Sequence, residues 1–120
     1  MIPKFRIFDK KKKRFLGDFT MEIDKFGIHV LDEFNYVVDE DDRVLMQSTG
    51  LVDENKEEVF QNDIVWHDQN EEYGVVEIDE AKFVIRWQDG YVEDLFERID
   101  LLEVIGNIHE HPGLLEENDE

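Results

Sequence analysis

Two histidines, His109 and His111, flank Glu110, and a third, His67, precedes Asp68. On a strand, side chains two apart point to one face, so an H-x-H pair there would aim two imidazoles at one ion. A structural zinc site needs four ligands, and the other donors here are acids with no fixed spacing. No metal is therefore expected. Asp53-Glu-Asn55-Lys-Glu57 begins like a calcium loop but lacks the glycine at its sixth position and the flanking helices. A turn between strands accounts for it better. With 32 acids, carboxylate pairs arise by chance, whereas a general acid needs a group with a tuned pKa. Asp63, directly before Ile64-Val65-Trp66, is the nearest candidate. Its side chain is expected instead to accept backbone N–H groups of its own turn. Cysteine is absent, so there is no thiolate nucleophile, disulfide or thiolate metal site. Neither a G-x-S-x-G elbow nor a glycine-rich phosphate loop occurs. The residues point to a non-enzyme without a cofactor.

Binding chemistry has more to work with. Trp66 and Tyr91 fall on or beside strands and are candidates for holding an extended peptide. Trp87 alternates with Phe83 and Ile85 and is assigned to the core. Lys10, Lys11, Lys12 and Lys13 form a basic run that could touch phosphate or an acidic partner, although such runs are commonly just solvated. Residues 1–14 hold seven basic side chains against one acid, net +6, and the other 106 hold six against 31, net −25. Broad contact with a nucleic-acid backbone needs a large basic face, so direct nucleic-acid binding is not expected. The acidic body favours a basic, extended protein segment. It would also suit mimicry of nucleic acid, provided the acids line up on one face. Self-repulsion argues for a monomer. Pairing of the basic hairpin with the body of a second copy would make a homo-oligomer that weakens with salt.

The N-terminus has no apolar stretch of roughly 7–15 residues to serve as a signal peptide, and no run approaches the ~20 apolar residues of a membrane span. A cytoplasmic protein with no membrane partner is expected.

The elements that would position these residues are short strands. Lys4–Phe19 reads as a hairpin with Phe5, Ile7 and Phe15 on one apolar side and the lysines at its tip. Phe19, Met21 and Ile23 alternate with polar residues, the period of a half-buried strand. A turn at 24–27, strands at 28–31 and 34–38, and an acidic loop at 39–42 follow. A strand from Arg43 to Thr49 bends at 49–51, and a turn at 53–56 suits Asn55, through the left-handed region or through its side chain bonding to its own backbone. Strands are expected at 58–60, 64–66, 73–78 and 82–87, with a hairpin turn at Asp89-Gly90. Val92, Leu95, Phe96 and Ile99 recur at helical spacing for a turn or so. Val104–Ile108 closes the sheet, with Gly106 allowing close approach. The fold class is mostly β: a β-rich N-terminal subdomain over residues 1–46, a small SH3-like barrel over 47–111 and an acidic tail over 112–120, expected to be disordered from Glu116 on. The barrel core is expected around Ile64, Val75, Phe83, Ile85, Val104 and Ile108.

Three blocks, KFRIFDKKKKRF near the start, LMQSTGLVDENKEEVFQNDIV in the middle and EVIGNIHEHPGLL at the end, resemble the YopX family in wording, order and spacing. The chain departs from the family pattern at Ser48 (usually Tyr), at Lys56 and Asn62 (usually Gly), and at His109-Glu-His-Pro112 (usually Tyr-Glu-Asn-Pro). The resemblance implies a small β-rich protein of phages and prophages, with an SH3-like C-terminal half and no established activity. The functional expectation is a non-catalytic module binding a host or phage protein in the bacterial cytoplasm. The alternative is an acidic nucleic-acid mimic that blocks a DNA-binding host protein.

Overall fold

Apolar side chains at every second position build strands, and the computed structural model, which describes residues 4–116, is mostly antiparallel β-sheet. The chain divides into two compact units, one spanning Lys4–Met46 and the other beginning at Gln47.

The first unit holds β1 (Phe5–Asp9), β2 (Arg14–Phe15), β3 (Thr20–Asp24), β4 (Gly27–Leu31), β5 (Val37–Val38) and the first residues of β6 (Arg43–Val52). In the β1–β2 hairpin Phe8 lies opposite Phe15 and Asp9 opposite Arg14. This corrects the expected pairing. Residues directly opposite share a face, so Phe15 belongs with Phe8, their rings edge-on at 5.1 Å. Ile7 turns the other way and packs with Leu16, Val30 and Val38, with Phe19, Met21 and Leu45 against them. Fully burying each such aliphatic stabilises by about 1.5–3 kcal/mol.

β3, β4 and β5 form a separate three-stranded sheet in that order. Asp24 pairs with Gly27 across a two-residue turn, and Gly27 takes φ +126°, which a side chain would resist. The strand expected at 34–38 is reduced to Val37–Val38. Asp32 is the cause: its Oδ1 accepts the N–H groups of Phe34 (2.8 Å) and Tyr36 (3.0 Å), holding a turn in which Asn35 is left-handed. Ile23 lies on a strand as expected but is exposed, so the half-buried pattern ends at Met21.

The second unit continues with β7 (Glu58–Phe60), β8 (Asp63–His67), β9 (Glu72–Asp79), β10 (Lys82–Trp87), β11 (Val92–Asp94), α1 (Leu95–Arg98), a 3-10 turn at Ile99–Leu101, β12 (Glu103–Asn107) and α2 (Gly113–Glu116). Five strands run in the order β11-β10-β9-β8-β12. A meander whose last strand returns beside its first, after a helical turn, is consistent with the SH3-like barrel expected here. The bend at 49–51 is a bulge inside the longer β6: Ser48 pairs with Phe60 and Val52 with Glu58, with Gly50 at φ +76°. A second bulge lies between Val104 and Gly106.

The core is Val59, Val65, Val76, Ile85, Trp87, Leu95, Ile99 and Leu102, with Leu51, Phe83 and Val104 packed against it. Val65 and Val76 replace the expected Ile64 and Val75. Ile64 is fully buried as well, on the opposite face by strand alternation, while Val75 and Ile108 are half-buried. Phe96, expected on the helix's apolar side, is exposed because α1 is one turn long and turns only Leu95 inward. Residues 117–120 of the expected acidic tail lie outside the described residues, and Gly113–Glu116 is a helical turn. No helix among the described residues is long and apolar enough to cross a membrane.

Candidate functional site

His109 and His111 are not side by side on a strand. β12 ends at Asn107, whose Oδ1 accepts the N–H groups of His109 (3.0 Å) and Glu110 (2.9 Å) and folds the chain into a turn. His109 Nε2 meets Asn62 Nδ2 at 3.3 Å, and His111 Nδ1 accepts the Asn107 N–H at 3.2 Å. His67 is buried against the Trp87 ring, and its Nδ1 accepts the Asn70 N–H. Among the described residues no three His, Asp or Glu side chains group to hold a metal ion. Asp63, fully buried, accepts the Phe60 N–H at 2.8 Å, a turn-closing bond as expected.

Trp66 is half-buried, its ring 4.7 Å from that of Tyr73 on β9. Tyr91 is exposed in the turn after β10, where Asp89 Oδ1 accepts its N–H. β9 and β10 lie between the two residues, which therefore occupy different parts of the sheet. Trp87 is in the core with 4% exposure and donates Nε1–H to Glu93 at 2.9 Å. Lys10 to Lys13 are all exposed at the β1–β2 tip. Asp9 organises that tip by accepting the N–H groups of Lys11 and Lys12, and Lys13 takes φ +56° to re-enter the hairpin.

The first unit carries a surface that the sequence reading did not single out. Ile23, Phe26, Ile28, Phe34, Tyr36 and Val37 are all exposed, within fifteen consecutive residues. Single exposed apolar side chains need no explanation; Val37, opposite Leu31, lies on the other sheet face from Ile23 and Ile28, so the candidate interaction surface is Ile23 and Ile28 together with Phe26. Ile23 and Ile28 are direct cross-strand neighbours and continue the face on which Met21 pairs with buried Val30. The β3–β4 hairpin thus extends past the elements that cover its inner face. Phe26, 81% exposed, sits at its tip. A groove of about 580 Å³ runs along β4, with Val30, Val38 and Leu45 in its lining and Asp39 and Glu40 beside them. Arg43 also lines it, donating to the carbonyls of Val38 (3.0 Å) and Ile28 (2.9 Å).

Charge on this hairpin is acidic. The Phe26 N–H bonds Asp24 Oδ1 at 2.7 Å, and the His29 ring lies 3.1 Å from Oδ2. The first bond more than the second holds the Asp24 carboxyl below the ordinary carboxylate range. Glu22, on the same outer face, has no such partner among the described residues. One sequence signal was available: Phe26 interrupts a turn, Asp24-Lys-Phe-Gly27, whose other residues are turn formers or charged.

Comparison with known proteins gives the following. The family model described as "YopX protein" matches residues 4–116. The chain is similar to the crystal structure of protein EF1440 from Enterococcus faecalis, with TM-score 0.65 and 28% identity over 96% of this chain and 99% of that one. It is also similar to the crystal structure of protein yopX from Bacillus subtilis, with TM-score 0.66 and 18% identity over 92% and 95% of the two chains, a likeness of fold. No curated protein matches.

Proposed function

The chain belongs to the YopX protein family, and on that premise we propose that it is a non-catalytic protein-binding module of a phage or prophage, acting in the cytoplasm of the host bacterium. One observation carries the reading: Ile23, Phe26 and Ile28 leave an apolar sheet face open to water on a short two-stranded projection. Exposing that face has no benefit for folding, and a partner that covers it gains roughly 25 cal/mol for each Å² of apolar surface removed from water. The acidic body selects basic partners and steers them in. Trp66 and Tyr91 belong to this reading as secondary contacts on the second unit. A nucleic-acid mimic would need its acids ranked along one face, whereas acids here occupy turns of both units, such as Asp39–Asp42 and Asp89.

The test is affinity capture from host lysate at moderate salt, with the full chain and with a Phe26→Ser/Ile28→Ser variant as baits. The expected result is a host or phage protein retained by the first bait and lost from the second. Identical recoveries on both baits, or no specific protein on either, contradict the proposal.

A further inference from the structure

We propose that the outer edge of β3 takes an extended peptide segment of alternating apolar and basic residues as an added strand. This deepens the binding-module reading and rests on it.

Among the described residues β3 is at the edge of its sheet and pairs only with β4. On β4, the Ile28 carbonyl is taken by Arg43, on the side away from β3. Successive residues of a strand direct their N–H and C=O groups to opposite sides. Gly27, His29 and Leu31 therefore bond toward β3, and their partners on β3 are Asp24, Glu22 and Thr20. That leaves Met21 and Ile23 to present N–H and C=O groups outward. An unpaired edge of this kind is a template for another strand.

The side chains then specify the occupant. Ile23 and Met21 lie on the inner face, where Ile23 is 73% exposed. Glu22 and Asp24 lie on the outer face, both exposed. A strand laid along this edge would place alternate residues beside each set. Cross-strand neighbours favour apolar beside apolar and opposite charges together. The matching sequence thus alternates Val or Ile with Lys or Arg. A second copy fits badly, because pairing β3 with itself brings Glu22 and Asp24 close to their own kind, and like charges there are unfavourable. Asp24 is partly matched by His29 already, so Glu22 contributes more of the selection.

The probe is a nine-residue peptide alternating Lys and Val, titrated into the ¹⁵N-labelled full chain. Controls are the same peptide with Glu for Lys and a shuffled peptide with its valines together. The account expects saturable shifts centred on the Met21 and Ile23 amides, affinity at least tenfold above both controls, and weakening with added salt. Two variants test the mechanism without touching the core. Ile23→Pro deletes an outward N–H that the native sheet does not use, and Glu22→Lys reverses the selecting charge. Each is expected to reduce affinity at least tenfold with the rest of the spectrum unchanged. Equal binding of the Lys and Glu peptides, or shifts centred on Trp66 and Tyr91, overturns the β3 site. So does peptide-free dimerisation through β3. None of these results bears on the lysate capture, whose failure would remove the wider reading instead.

Discussion

The carboxylate of Asp53 joins two places 51 residues apart: its Oδ2 accepts the Val104 N–H at 2.8 Å, where β12 begins. Its Oδ1 accepts the N–H groups of Asn55 (2.9 Å) and Glu57 (2.8 Å) in the turn before β7. The acid that begins a calcium-like stretch in the sequence is a buried clasp between a turn and the closing strand.

Truncating it removes the acceptor from three backbone N–H groups at once. Asp53→Ala is expected to cost on the order of 3 kcal/mol, since charged acceptors are strong and buried orphan donors are costly. Urea unfolding followed by tryptophan fluorescence measures it, both tryptophans being in this unit. A loss below about 0.5 kcal/mol, within the range of an ordinary surface change, would show that the clasp is incidental.

Glu33 makes a two-pronged ion pair with Arg14 (2.7 and 2.9 Å) and accepts the Gly17 N–H at 2.9 Å. The guanidinium first, and backbone N–H groups next, hold this carboxyl well below its ordinary value. A depressed folded-state pKa contributes stability that is present above the unfolded value and lost as pH falls through the folded one. The contribution should therefore be complete above about pH 5 and fade progressively as the pH falls through and below the ordinary carboxyl value. The Glu33 side-chain carbon shift, followed by NMR, should be flat from pH 7 to pH 4. A midpoint near 4.5, the ordinary value, would contradict the pairing.

Gly74 faces the core. A Cβ there would lie 2.5 Å from Ile85 Cγ2 and 2.9 Å from Trp87 Cε3. Gly74→Ala should therefore destabilise by about 1–3 kcal/mol through overpacking. Gly113→Ala, with nothing within 4 Å, is the matched control and should change little. Thermal melts of the two variants give the comparison, and equal melting temperatures would refute it.

Lys56 takes φ +67° in the turn that Asp53 closes. A left-handed conformation costs a side-chain-bearing residue about 1–2 kcal/mol relative to glycine. Glycine loses part of that advantage to its larger unfolded-state entropy. Lys56→Gly should stabilise the chain by about 0.5–1 kcal/mol in urea unfolding, and a loss of stability would contradict the turn geometry.

The strands and most turns were legible because they depend on local facts: period-2 alternation and the turns at 24–27 and Asp89-Gly90. Facing was harder. β8 is buried on both faces, so Ile64 and Val65 look alike in sequence although only Val65 joins the main core. In β1 the choice between Ile7 and Phe8 as the partner of Phe15 depends on how the chain passes through the lysine tip. Of the two conformations open to Asn55, the left-handed one falls instead on Lys56, while Asp53 Oδ1 accepts the Asn55 N–H. The open face at Ile23, Phe26 and Ile28 depends on which element lies across it. That is a fact of three-dimensional cover with no local signature beyond one phenylalanine in a turn.

The most direct measurement places a photo-activated cross-linking residue at position 26 in one variant and at 91 in another, each produced in host cells. A discrete protein adduct from position 26 is predicted, with a weaker one from the secondary contact at 91. Adducts from position 91 alone would contradict it.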